Sequence, residues 1–287
     1  PLLLGGVLLL FYRNALTLFL VALGLVLALG SYLEGWLGGR GDHRRAVVEF
    51  RSRLAGLQRD VVLARGQEIE RRLDEAPDLR RLALAAHLRE PWLWERRLQD
   101  EDFMELRVAV TTAPSRQRVV VREGGGAVLQ AEARAVLHPL ASVEGVPLTL
   151  SLAERGAVGV SGSRSAVLST ARWMTLQAAV LHSPRNLSIC AALTRDGAAE
   201  WDWLKWLPHT AESVRPFEGA VLSINNASSR HLVEKLVALL DSRSAEIGPF
   251  RGTSTRAPYP YVLVLLHEDV PLARSHVTRL LADGPRV

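Results

Sequence analysis

The sequence predicts a membrane-anchored α + α/β chain. A transmembrane helical hairpin (1–34) leads into a helical stalk (35–91) and then a domain with a mainly parallel sheet around a degenerate phosphate loop (92–287). Three observations carry this. Ala15–Leu33, "ALTLFLVALGLVLALGSYL", holds no charge. A long, highly charged stretch with apolar residues at helical spacing follows it. Beyond that, short β-prone runs alternate with helix-like segments, and one of these runs enters a helix through a glycine turn.

Taking the elements in order, Ala15–Leu33 as a helix is roughly 28 Å long, about the hydrocarbon thickness of a bilayer. "PLLLGGVLLL", Pro1–Leu10, is apolar but too short to span. It reads as the end of an earlier transmembrane helix, with "FYRN" as the turn. A secretory signal would need a basic start and a small-residue cleavage site, and both are missing. Arg40, Arg44, Arg45, Arg51 and Arg53 follow the second span, against Arg13 in the turn. Positive-inside then puts the remainder in the cytoplasm.

"GWLGGRGD", Gly35–Asp42, reads as a hinge. His43–Glu75 reads as one helix, with Val47, Phe50, Leu54, Leu57, Val61 and Ala64 spaced 3-4-3-4-3. The seam persists for about two and a half heptads. It suits either a partner or intersubunit contact or packing on the chain's own neighbours. Pro77 ends the helix, and Asp78 is placed to cap a second one running through His87.

"LRVAV", "QRVVV", "VPLTLSL", "GAVGV", "LSICAAL", "EGAVLSI" and "YVLVLL" are the expected strands. The last is apolar throughout, as in a strand buried on both faces. Helices are expected at Ser165–Leu181, Arg230–Asp241 and His276–Ala282. Cys190 is the single cysteine and the eight histidines are dispersed, so no disulfide framework or metal cluster is expected. The net charge of +5 is spread without a dense Lys/Arg run, which argues against a nucleic-acid surface.

The stretch from Gly159 carries the chemical question. A working phosphate loop reads G-x-x-x-x-G-K-[ST]. Its backbone N–H groups cradle phosphate, its lysine neutralises charge, and its hydroxyl holds Mg²⁺. Gly159, Gly162 and Ser163 fit the G-x-x-G-x-G-K-S form. Arg164 then replaces a glycine, Ser165 the lysine and Ala166 the hydroxyl. After "YVLVLL", His267 stands where a magnesium-binding Asp would end the strand, and Glu268 keeps the position of the catalytic Glu. A neutral imidazole is a poor Mg²⁺ ligand. The expectation is a vestigial loop, with no catalytic residue and no metal.

"WLWERRLQDEDFMELRVAV" (Trp92–Val110), "LHSPRNLSI" (Leu181–Ile189) and "AAEWDWLKWLPHT" (Ala198–Thr210) resemble the N-terminal part of the EccC component of actinobacterial type VII (ESX) secretion systems. That component is a member of the FtsK/SpoIIIE translocase superfamily. The resemblance implies a bacterial inner-membrane protein with a degenerate ATPase-like domain and its stalk in the cytoplasm. ATP and Mg²⁺ would act only in further domains, which would also meet small secreted proteins. It implies oligomers, with EccB, EccD and EccE as partners. Candidate contact residues are Val47, Phe50, Leu54, Leu57 and Val61 on the stalk, and Trp201, Trp203 and Trp206. The competing expectations are a divergent but active ATPase using Arg164, and a DNA translocase of the FtsK type.

Overall fold

A computed structural model describes residues 15–121, 126–247 and 260–286, with side chains from residue 42 onward and excluding 246, 247 and 286. Ala15–Glu75 forms one helix, α1, of 61 residues. It passes straight through the expected hinge at Gly35–Asp42. Glycine weakens a helix by about 1 kcal/mol per residue but removes no hydrogen bond, so only Pro77 ends it. Among the described residues no helix is long and apolar enough to cross a membrane. This overturns the expected transmembrane hairpin. The apolar run of Ala15–Leu33 is one end of a longer, charged helix. Pro1–Leu10 and the "FYRN" turn lie outside the described residues.

The chain divides into two compact units, Pro1–Gln67 with Ser115–Ser142, and Glu68–Pro114 with Val143–Val287. In the first, Phe50 and Leu54 of α1 pack against Ala133, Val136 and Leu137 of α3 (Ala127–Leu137). Arg51 reaches Glu132 of the same helix at 2.9 Å. Part of the α1 seam is therefore covered by its own chain.

In the second unit, α2 (Leu79–Leu88) starts as expected. The Asp78 carboxylate accepts from the Arg81 N–H at 2.9 Å. Leu82 and Ala85 pack on Val180 and Leu181 of α4, Arg164–Leu181. The strands β1 (Glu105–Pro114) and β2 (Ser142–Ser151) pair with each other. β3 (Leu187–Ala192) and β4 (Tyr261–Leu266) pair in parallel, from Leu187 opposite Tyr261 to Ala192 opposite Leu266. All six β3 residues are buried, with Leu187 and Ile189 facing one apolar cluster and Cys190 and Ala192 another. The helices α5 (Asn226–Ile247) and α6 (Arg274–Asp283) complete the second cluster.

The mainly parallel sheet is also corrected: among the described residues the strands form two sheets of two strands each. "QRVVV" and "GAVGV" are loops, and "EGAVLSI" contributes only a bridge from Leu222 to Ala191. Gly156 shows why "GAVGV" is not a strand. Its φ is +71°, and a Cβ there would meet the ring of Pro285. Short apolar runs suit a packed loop as well as a strand.

Candidate functional site

The loop from Gly156 to Ser163 and the end of β4 border one cavity of about 800 Å³. Gly162 takes a φ of +146°, and Ser163 then caps α4 by accepting from the Ala166 N–H at 3.4 Å. The Ser163 and Ser165 hydroxyls lie 3.4 Å apart. Gly159, Gly162, Ser163, Arg164, Ser165 and Ala166 thus form a loop entering a helix, without the preceding strand. The exposed Arg164 guanidinium lies 3.4 Å from the Glu200 carboxylate. Arg172 also binds this segment, donating to the Glu200 carbonyl at 2.7 Å.

On the facing side, the His267 N–H continues the ladder to the Ala192 carbonyl at 3.1 Å. Its Nδ1 accepts from the Asp269 N–H at 3.3 Å. Its ring lies against Gly197, where a Cβ would come within 3.4 Å of Cδ2. His267 is held as a strand-end plug, and Glu268 follows it on the rim. The fold therefore brings the two sequence-predicted halves to one cavity. Its walls are mainly aliphatic, including Val160, Leu236, Leu240, Val264 and Leu280. Among the described residues no group of three or more His, Cys, Asp or Glu could hold a metal ion.

The three tryptophans separate. Trp201 is buried and stacks on Trp203 with ring centroids 6.0 Å apart. Trp206 is 79% exposed, with Lys205 Nζ 5.4 Å from its ring. On α1, Leu54 and Val61 are buried and Leu57 is exposed.

Sequence reasoning missed a buried polar knot. His182 is fully buried. Its Nδ1 donates to the Ala178 carbonyl at 2.9 Å, and its Nε2 accepts from the Met104 N–H at 3.0 Å. Burial, with Arg96 and His209 nearby, pushes its pKa down to about 4. His209 Nε2 donates to the His182 carbonyl at 2.8 Å, and burial lowers its pKa too. Arg96 is 7% exposed. It donates to the carbonyls of Glu75, Asp102 and Glu105 at 2.6, 3.2 and 2.6 Å, and its Nε meets the Asp102 carboxylate at 2.8 Å. Trp94 N–H and Nε1 donate to Val180 and Ala179, both at 3.0 Å. Trp94 and Met104 both hold positive φ, 62° and 56°. The knot fixes these unfavourable backbone angles. Its members come from the "LWERR…DEDFM", "LHSPRN" and "LPHT" runs. The signal was in those runs, but a lone buried histidine has no spacing rule that reveals its partner.

The chain that carries this cavity and knot is similar in sequence to components of bacterial ESX secretion systems. No protein-family model matches it. It is 32% identical over 178 residues to the ESX-4 secretion system protein EccC4 of Mycobacterium tuberculosis, covering 58% of this chain and 14% of that relative. It is 27% identical to the ESX secretion system protein EccC of Thermomonospora curvata, over 95% of this chain and 21% of that relative. The ESX-3 protein EccC3 of M. tuberculosis is 29% identical over 63% of this chain and 14% of its own length. The chain is EccC-like over much of its length, and spans about a fifth or less of these relatives.

Proposed function

We propose that this chain is a docking and force-transmitting segment of an EccC-like type VII secretion protein, and that it does not hydrolyse ATP itself. The supporting observation is the phosphate-loop region. Arg164 has Glu200 as its charge partner, and Ser165 and Ala166 replace the lysine and the metal-binding hydroxyl. The chain's partners on this reading are other components of the secretion apparatus, EccB, EccD and EccE, in an oligomer at the bacterial inner membrane. ATP and Mg²⁺ act in further domains of the whole protein. The test is Mg²⁺-dependent ATP hydrolysis by the purified chain against a Glu268→Gln variant. Equal, background rates are expected. A wild-type rate well above the variant's sinks the reading.

A second reading, a divergent ATPase, draws on Arg164 and Glu268 bordering the same cavity. It requires calorimetric ATP binding that Arg164→Ala abolishes. The absence of ATP binding by the wild-type chain removes it.

A further inference from the structure

We infer that the turn following β3 serves in cis as the partner of the phosphate-loop region, which deepens the reading that this chain does not hydrolyse ATP itself. Glu200 neutralises Arg164 at one end of the turn, Gly197 receives the His267 ring at the other, and the tie suppresses binding of an external polyphosphate. β3 and β4 run parallel, so their carboxyl ends lie at one edge of the sheet. Open sheets of parallel strands hold ligands beyond that edge. Here β4 ends there in His267, whose N–H donates to the Ala192 carbonyl at the end of β3 at 3.1 Å. Thr194 then starts a short turn, Arg195–Ala198, by accepting from the Gly197 N–H at 3.1 Å. A 3-10 helix, Ala199–Trp206, continues it.

This segment is fixed before it meets the loop. Trp201 and Leu204 are buried in the first apolar cluster, and the Arg172 guanidinium of α4 donates to the Glu200 carbonyl at 2.7 Å. The Glu200 carboxylate is therefore held at a set place, and it meets the Arg164 guanidinium at 3.4 Å. On the other side Gly197 is buried and leaves room for the His267 ring, whose Cδ2 would lie 3.4 Å from a Cβ at that position. Arg164 and His267 both depart from a working nucleotide site, and both contact the one stretch from Gly197 to Glu200. In a working site metal and phosphate link the loop to the strand end. Here the chain's own backbone links them. A largely exposed ion pair adds little to stability, so its consequence lies in charge. Arg164 is the one cationic side chain of Gly156–Ala166. A carboxylate already beside it competes for the guanidinium and repels an incoming anion.

The experiment measures pyrophosphate binding to the 287-residue chain by calorimetry at low salt, which reads affinity with no hydrolysis step. Glu200→Gln should bind at least about tenfold more tightly than wild type, and adding Arg164→Gln should remove that gain. Glu212→Gln removes the same charge from an exposed residue that does not border the cavity, and should stay within about twofold of wild type. Gly197→Val brings a branched side chain towards Thr194 and His267. It should lower the melting temperature, and by at most about half as much in a His267→Ala chain. Any of four results overturns the tie: no gain in Glu200→Gln over wild type, an equal gain in Glu212→Gln, a gain that survives Arg164→Gln, or a Gly197→Val loss that His267→Ala leaves unchanged. ATP hydrolysis by the wild-type chain sinks the non-hydrolytic reading alone, because the ratio of the two pyrophosphate affinities does not depend on it.

Discussion

Acidification should destabilise the second unit through His182, and the sign and size follow from its burial. The imidazole is neutral, donating through Nδ1 and accepting through Nε2. Protonating it in place turns the Nε2 acceptor into a donor facing the Met104 N–H. Its folded pKa is about 4 against an ordinary histidine value of 6.5. Between those values the unfolded chain binds the proton and the folded chain does not. The neutral ring's contribution is therefore fully present above about pH 6.5 and is lost as pH falls towards 4. At ~1.4 kcal/mol per pH unit the full loss is roughly 3 kcal/mol. The assay is urea unfolding followed by tryptophan fluorescence, since six of the seven tryptophans lie between Trp92 and Trp206. Wild type is compared with His182→Gln at steps from pH 7.5 to 4. Carboxylates titrate in both proteins, so the difference between the curves isolates the histidine. That difference should shrink by roughly 3 kcal/mol as pH falls, with most of the change below pH 6.5. A constant difference across the range refutes the buried neutral assignment.

Replacing Arg96 with Met should cost about 3 kcal/mol, because a buried guanidinium's bonds to three part-buried backbone carbonyls and to the Asp102 carboxylate are lost; thermal unfolding measures it. The Cys190 thiol is buried and pushed up to about 12 by desolvation. It should therefore resist a thiol reagent at pH 8 in the folded chain and react fully in denaturant, and fast labelling without denaturant would contradict its placement. Leu204→Ala should cost about 2–5 kcal/mol from a fully buried position. Trp206→Ala should change stability by less than about 0.5 kcal/mol, because that ring is exposed. A chemical denaturation pair separates these two.

Local chemistry was legible where one short-range rule decides the outcome. Pro77 and Asp78 placed a helix end and a cap because a missing N–H and a side-chain acceptor act within one turn. "YVLVLL" is a strand, as its β-prone, uniformly apolar pattern predicts, but all six of its residues are half-buried and not buried on both faces. The same reasoning failed at "GAVGV". Its strand propensity was outweighed by the positive φ of Gly156 and the approach of Pro285, a residue 129 positions further on. It failed at Gly35–Asp42 because glycine lowers helix stability without ending a helix, and α1 continues on either side. The apolar seam of α1 was read with both outcomes open. The structure covers Phe50 and Leu54 with α3 and leaves Leu57 exposed.

The runs that carried the resemblance have a physical role different from the one a search for catalysis would give them. "LHSPRN" and "LPHT" place His182 and His209 so that one ring donates to the other's carbonyl. "LWERR" places Arg96 to close three backbone carbonyls. None of these side chains borders the cavity at the phosphate loop. The distinctive residues are thus invested in holding Trp94 and Met104 at unfavourable angles, while the loop carries Ser165 and Ala166 where a working phosphate loop has its lysine and hydroxyl.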